Sequence, residues 1–321
     1  MTDTAATGFI AGGLEGGGSV RGAGQEAGLS DYWALLKPRV MSLVIFTAIV
    51  GLLMAPGEIH WLKAFVAILC IAIGAGASGA LNQWYDADID AVMARTAGRP
   101  VPAGRMSASA AAEFGMVLSV ISVLTMGVLV NYVAAGLLAF TIFFYAVVYT
   151  IWLKRATAQN IVIGGAAGAL PPVIAWSAVT GDVAHAMPLI LFAIIFLWTP
   201  AHFWALALVK NEDYRRAKVP MLPVVAGPRA TKRQIVLYAV LTCAMSLGPW
   251  ALGATTVSYA IMASLLSVAF LGQAVRLWRA PEGAGERAEA LRLFALSIAY
   301  LFFIFLGLAL DHLIWPQGSS L

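Results

Sequence analysis

Charged side chains are scarce in this sequence. Asp, Glu, Lys and Arg make up 11% of its 321 residues, against about 25% in an average soluble domain. Cysteine is scarcer still. Its 2 copies, Cys70 and Cys243, stand far apart in apolar runs, which excludes a disulfide framework and a cysteine-based metal centre. The excess of bases over acids is small, 20 against 16, and dispersed, so no basic groove for nucleic acid is present. Apolar residues fill the space that charge leaves: 61% of the chain is hydrophobic. Such a composition excludes a soluble globular enzyme and a disordered chain, and implies an all-α, polytopic membrane protein.

A helix needs about 20 apolar residues to cross the hydrocarbon core. The long stretches free of charge are 40–57, 64–85, 114–153, 156–181, 183–209, 234–275 and 293–310. Two of them, at 40 and 42 residues, are long enough to fold back on themselves, the first near Asn131-Tyr132 and the second near Gly253. The expectation is nine transmembrane helices around a central cavity. A β-barrel is excluded, because barrels show short alternating segments rather than long apolar runs. With the N-terminus in the cytoplasm and the C-terminus outside, 19 of the 20 Lys and Arg fall on the cytoplasmic side and only Lys63 does not, as the positive-inside rule requires. Residues 1–30 are Gly-rich and polar and are expected to be a disordered tail. They have neither the apolar core of a signal peptide nor the base-rich, acid-poor make-up of a transit peptide, which favours a bacterial inner membrane. Residues 31–321 are expected to form a single transmembrane domain.

Where acids are rare, their clustering carries information. Five of the 16 lie in two short segments: Asp86, Asp88 and Asp90 at the end of the second span, and Glu212 and Asp213 at the end of the sixth. At about 100° per residue, Asn82, Asp86 and Asp90 share one helix face and Asp88 points elsewhere. Oxygen ligands in such a row suit Mg²⁺, which is held by one or two carboxylates plus a substrate phosphate. Basic residues stand nearby: Arg95, Arg99, Lys154, Arg155 and Lys210. They suit a diphosphate, whose charge a metal alone does not neutralise. Ordinary charge at helix ends is the competing explanation for each base taken singly.

The pattern N-x-x-x-D-x-x-x-D at Asn82, Asp86 and Asp90 resembles the first motif of the UbiA-type intramembrane prenyltransferases. Met93, Arg95-Thr96, Arg99-Pro100 and Gly104 resemble the heme-farnesylating branch of that family. So do Lys37-Pro38-Arg39, Thr150 through Arg155, Asn160 through Pro172, Thr199 through Ala207, and Asp213 through Val225. Gln83 stands where benzoate-prenylating relatives usually carry an Asp. Ala217, four residues after Asp213, departs from the fuller second motif. The resemblance covers about residues 31–312. It implies Mg²⁺ on Asp86, Asp90 and Asp213, with Asn82 orienting a ligand and Arg95, Arg99, Lys154 and Lys210 binding diphosphate. Farnesyl diphosphate and heme b are the implied substrates, heme O the product, and a heme-pathway enzyme a possible partner. Lys37 and Arg39 are candidates for heme propionates, and His202, on the sixth span, for the heme iron or its orientation. The alternatives are a relative with an aromatic acceptor such as 4-hydroxybenzoate and, from another class, an ion-coupled transporter. A transporter would carry its acids near the midplane, whereas these lie at helix ends.

Overall fold

The computed structural model describes residues 27–315. The tail expected to be disordered over 1–30 lies almost wholly outside the described residues, as does the side chain of Arg39. Among the described residues the secondary structure is helical, with no strand. Eight helices are long and apolar enough to cross a membrane. They are α3 (Trp61–Tyr85), α5 (Ala108–Leu129), α6 (Tyr132–Leu153), α7 (Asn160–Thr180), α8 (Ala186–Val209), α11 (Gly227–Ala251), α12 (Val257–Arg279) and α13 (Ala284–Ile314). α1 (Leu29–Leu35) and α2 (Pro38–Leu53), bent by 57°, are long and apolar enough together to make a ninth if the pair is one span. Three short helices, α4 (Ala87–Val92), α9 (Asn211–Arg216) and α10 (Leu222–Val225), follow α3 and α8.

The bend in the first span has a local cause. Pro38 is the first residue of α2, and a proline ring disfavours helical backbone in the residue before it. Lys37 sits at φ 51°, ψ 53°, a left-handed conformation uncommon outside glycine. Both fold-backs expected from the long apolar runs are present. Asn131 caps α6, accepting from the Ala134 N–H at 2.8 Å, and donates to the Ser177 carbonyl of α7 at 2.9 Å. Gly253 takes φ +72° in the turn between α11 and α12.

The spans pack in chain order, and the ring closes where α13 meets α2. Inside it, α2 lies on the second half of α7, and α8 on α13. The first of these contacts is backbone against backbone: a Cβ on Gly51 would stand 2.4 Å from the Pro172 carbonyl oxygen. Small residues permit such close approach where lipid leaves no hydrophobic drive between helices. One apolar core, including Ile71, Met126, Leu138 and Ile174, joins the first five spans. A larger one, including Leu191, Trp204, Phe270 and Phe305, joins the last four to α2 and α7. Large apolar residues such as Phe65, Leu124, Phe140 and Val268 remain exposed on the outer faces, the arrangement a lipid solvent selects.

The second half of α6, Phe144–Leu153, is wound as a π-helix. Its bonds skip five residues, as in Lys154 N–H to the Tyr149 carbonyl at 2.9 Å. Windings of this kind are rare and concentrate at functional sites.

Candidate active site

α3 stops at Tyr85 and α4 starts at Ala87, with Asp86 between them at φ −90°, ψ 12°. The bonding pattern nevertheless runs through the joint. Asp86 N–H donates to Asn82 O at 3.0 Å, and Asp90 N–H to Asp86 O at 2.8 Å. Asn82, Asp86 and Asp90 therefore share one face, and all three are buried, Asp86 completely. Asp88 points out, its side chain 65% exposed.

Each buried polar group on this face has a partner from elsewhere in the chain. Asn82 donates to Asp86 Oδ2 at 2.6 Å and to Thr150 Oγ1 at 3.3 Å. Its own amide oxygen accepts from Lys37 Nζ at 2.9 Å, a contact set by the left-handed turn at Lys37. Lys154 pairs with Asp86 Oδ2, and Arg99 pairs with Asp90. Gln83, on another face of α3, is buried and donates to Leu35 O at 2.9 Å, tying α1 to α3. Outside the site, Arg155 bonds both oxygens of Asp88 at 2.7 and 2.8 Å. That bond holds the Asp88 carboxyl below the usual carboxylate range.

The second acidic segment reaches the first through a tyrosine. Asp213 and Tyr214 are buried on α9, and Arg95 lies within electrostatic reach of the Tyr214 hydroxyl. Burial pushes that hydroxyl up, against the pull of Arg95. Asp213 itself pairs with Arg216. Glu212 faces solvent and bonds Arg215 at 2.8 Å. Tyr145 lies within electrostatic reach of Asp86, Asp90 and Arg99, and Tyr149 within reach of Asp86, Arg95 and Tyr214.

The structure thus brings together Lys37, Asn82, Asp86, Asp90, Arg95, Arg99 and Lys154, with Asp213 joined through Tyr214. His202 stands apart. It bonds Ser297 Oγ at 2.7 Å and stacks between Trp198 and Phe294, with centroids 4.3 and 4.6 Å away. Lys210 contributes its carbonyl, which accepts from the Tyr214 N–H at 3.1 Å. Sequence reasoning missed Tyr145, Tyr149 and Tyr214, and the contact made by Thr150. Tyrosines in an apolar run read as packing, and Tyr145 and Tyr149 lie in the stretch that is π-wound. It also missed Asn160, which is fully buried and donates to Thr157 O at 2.7 Å and Lys154 O at 3.4 Å, steadying the turn that carries Lys154.

Among the described residues no three His, Cys, Asp or Glu side chains converge on one cation position. The acids carry separate bases instead: Lys154, Arg99 and Arg216. The donor set still suits a hard divalent cation. Asp86 Oδ1 is buried and has no hydrogen-bond partner, a costly state for a carboxylate oxygen. Magnesium is usually held by only one or two carboxylates, the remaining ligands being water and substrate phosphate.

The architecture and the acidic end define a class, that of polytopic helical membrane proteins with buried carboxylates at one end of the bundle. A solved structure of digeranylgeranylglyceryl phosphate synthase is similar with a TM-score of 0.73 at 18% identity, over 88% of this chain and 98% of that one. A UbiA homolog from Archaeoglobus fulgidus bound to DMAPP and Mg²⁺ is similar with a TM-score of 0.63 at 17% identity, over 86% and 99%. At such identities the likeness shows the fold alone. The sequence is more specific: the chain belongs to the UbiA prenyltransferase family, whose model matches residues 44–298. The protoheme IX farnesyltransferase of Rhodopseudomonas palustris (strain BisB5) is 60% identical over 280 residues, 87% of this chain and 89% of the relative. That of Rhizobium rhizogenes (strain K84) is 59% identical over 289 residues, 90% of each chain.

Proposed function

We propose that this prenyltransferase moves the farnesyl group of farnesyl diphosphate onto a vinyl group of heme b. Water adds to the resulting cation, a proton is lost, and heme O and diphosphate leave. The observation that carries the reading is the buried group of Lys37, Asn82, Asp86 and Lys154, with one carboxylate oxygen that accepts no hydrogen bond. The protoheme IX farnesyltransferase relatives supply the acceptor and the farnesyl donor in this proposal.

Mg²⁺, held by Asp86, Asp90 and Asp213, would neutralise charge growing on the departing diphosphate. The chain's own groups do the rest. Lys154, Arg99 and Arg95 donate to phosphate oxygens, Lys154 and Arg99 exchanging a carboxylate partner for a phosphate. Lys37 and Asn82 orient the group beside Asp86, and Lys210 adds charge at the second acidic segment. Because these donors are held by other helices before substrate arrives, little reorganisation is needed as the carbon–oxygen bond breaks. Tyr145 and Tyr149, within electrostatic reach of the acids, offer rings that exclude water from the allylic cation until it meets the vinyl group. The apolar bundle takes the farnesyl tail. The acidic end faces the cytoplasm of a bacterial inner membrane, in keeping with its concentration of bases.

The test is incubation of purified protein with Mg²⁺, farnesyl diphosphate and heme b, followed by mass analysis of the porphyrin. The expected product is a farnesylated, hydrated heme. Asp86→Asn lowers its rate by about a hundredfold or more in protein that still elutes as a single species. Near-normal product from Asp86→Asn rejects the site, and prenylation of an aromatic acid in its place rejects the acceptor.

A further inference from the structure

Arg155 has no part in the reaction as described, yet it stands beside the most buried acid of the site. Its guanidinium bonds both oxygens of Asp88, donates to Tyr85 O at 3.3 Å, and lies 5.0 Å from the centroid of the Tyr85 ring. One of its nitrogens is also 3.7 Å from Asp86 Oδ1. That distance is too long for a hydrogen bond, and Asp86 Oδ1 is the oxygen left without a partner. Two successive bases therefore approach Asp86. Lys154 bonds its Oδ2, while Arg155 is held off by an acid outside the site.

Stability does not explain this arrangement. The Arg155 side chain is 36% exposed and that of Asp88 65% exposed, and ion pairs so exposed contribute about 0–1 kcal/mol. The planar fork of Arg matches a phosphate as well as it matches a carboxylate, and a diphosphate carries more charge than Asp88 does. We infer that Arg155 is a phosphate-binding arm, parked on Asp88 and Tyr85, which moves its fork to a bound diphosphate and is drawn back by Asp88 when diphosphate leaves. Asp88 is then a positioning residue that competes with the ligand, weakening diphosphate binding and easing its release. This inference rests on the diphosphate chemistry proposed above, and it is independent of the acceptor.

The experiment is calorimetric titration of inorganic diphosphate, with Mg²⁺, into the purified full chain. Arg155→Gln weakens binding about tenfold, the worth of a charge-assisted pair of bonds. Asp88→Asn tightens binding about threefold, because an exposed competitor is removed. In the Arg155→Gln background, Asp88→Asn has no further effect. Both side chains lie at the surface, and a single symmetric elution peak checks each variant. Unchanged or weaker binding by Asp88→Asn overturns the arm, and so does tightening that persists without Arg155. If the wild type also makes farnesylated heme, only the arm falls. A wild type that binds no diphosphate overturns both this inference and the proposed function.

Discussion

At the scale of single residues, the site is a set of charges that stabilise one another. Asp86 is fully buried, and removing one member of a buried pair leaves the other charged and without compensation. Lys154→Gln is therefore expected to destabilise the protein by about 3 kcal/mol. Adding Asp86→Asn to it restores most of the loss, since the stranded charge goes with it. Thermal unfolding of the two single variants and the double variant in detergent measures the coupling. Equal and additive losses would show that the pair does not carry the stability assigned to it. The row Asn82, Asp86, Asp90 was legible in the sequence because its spacing alone places it on one face. The identity of each acid's base was not. Asp213 is paired with Arg216, a base that the sequence does not single out.

At the scale of elements, two deviations from regular helix shape the site. Lys37 leaves helical backbone ahead of Pro38, and its ammonium thereby reaches Asn82. The π-winding of α6 places Thr150 under Asn82. Neither deviation is written as a motif, and the run Phe144–Leu153 reads as ordinary span. The close approach of α2 to α7 is a third element-scale feature. A Cβ at Gly51 meets the Pro172 carbonyl oxygen, Cα and carbonyl carbon, all within 2.8 Å. Backbone cannot rotate away as a side chain can. Gly51→Ala is expected to cost about 1–3 kcal/mol, read as a lowered unfolding midpoint. Gly136→Ala, with open space around its Cβ, is the control that leaves the midpoint nearly unchanged.

At the scale of the whole molecule, the charge pattern implies an orientation. With 19 of 20 bases on one side, a reporter fused at the C-terminus is expected to read as non-cytoplasmic, and one in the loop after α8 as cytoplasmic. The reverse readings would turn the acidic end away from the compartment proposed for it. The span count, both fold-back points and the grouping of acids at helix ends were determined by the sequence itself. The reason is energetic: hydrocarbon excludes charge, so charged residues mark where spans end and where chemistry can sit. Tertiary structure alone decided which groups meet. Lys37 reaches Asn82 across 45 positions of chain, and Lys154 reaches Asp86 across 68. Those meetings depend on how the helices pack around one another, which apolar periodicity constrains only weakly where lipid-facing and core-facing residues are equally hydrophobic.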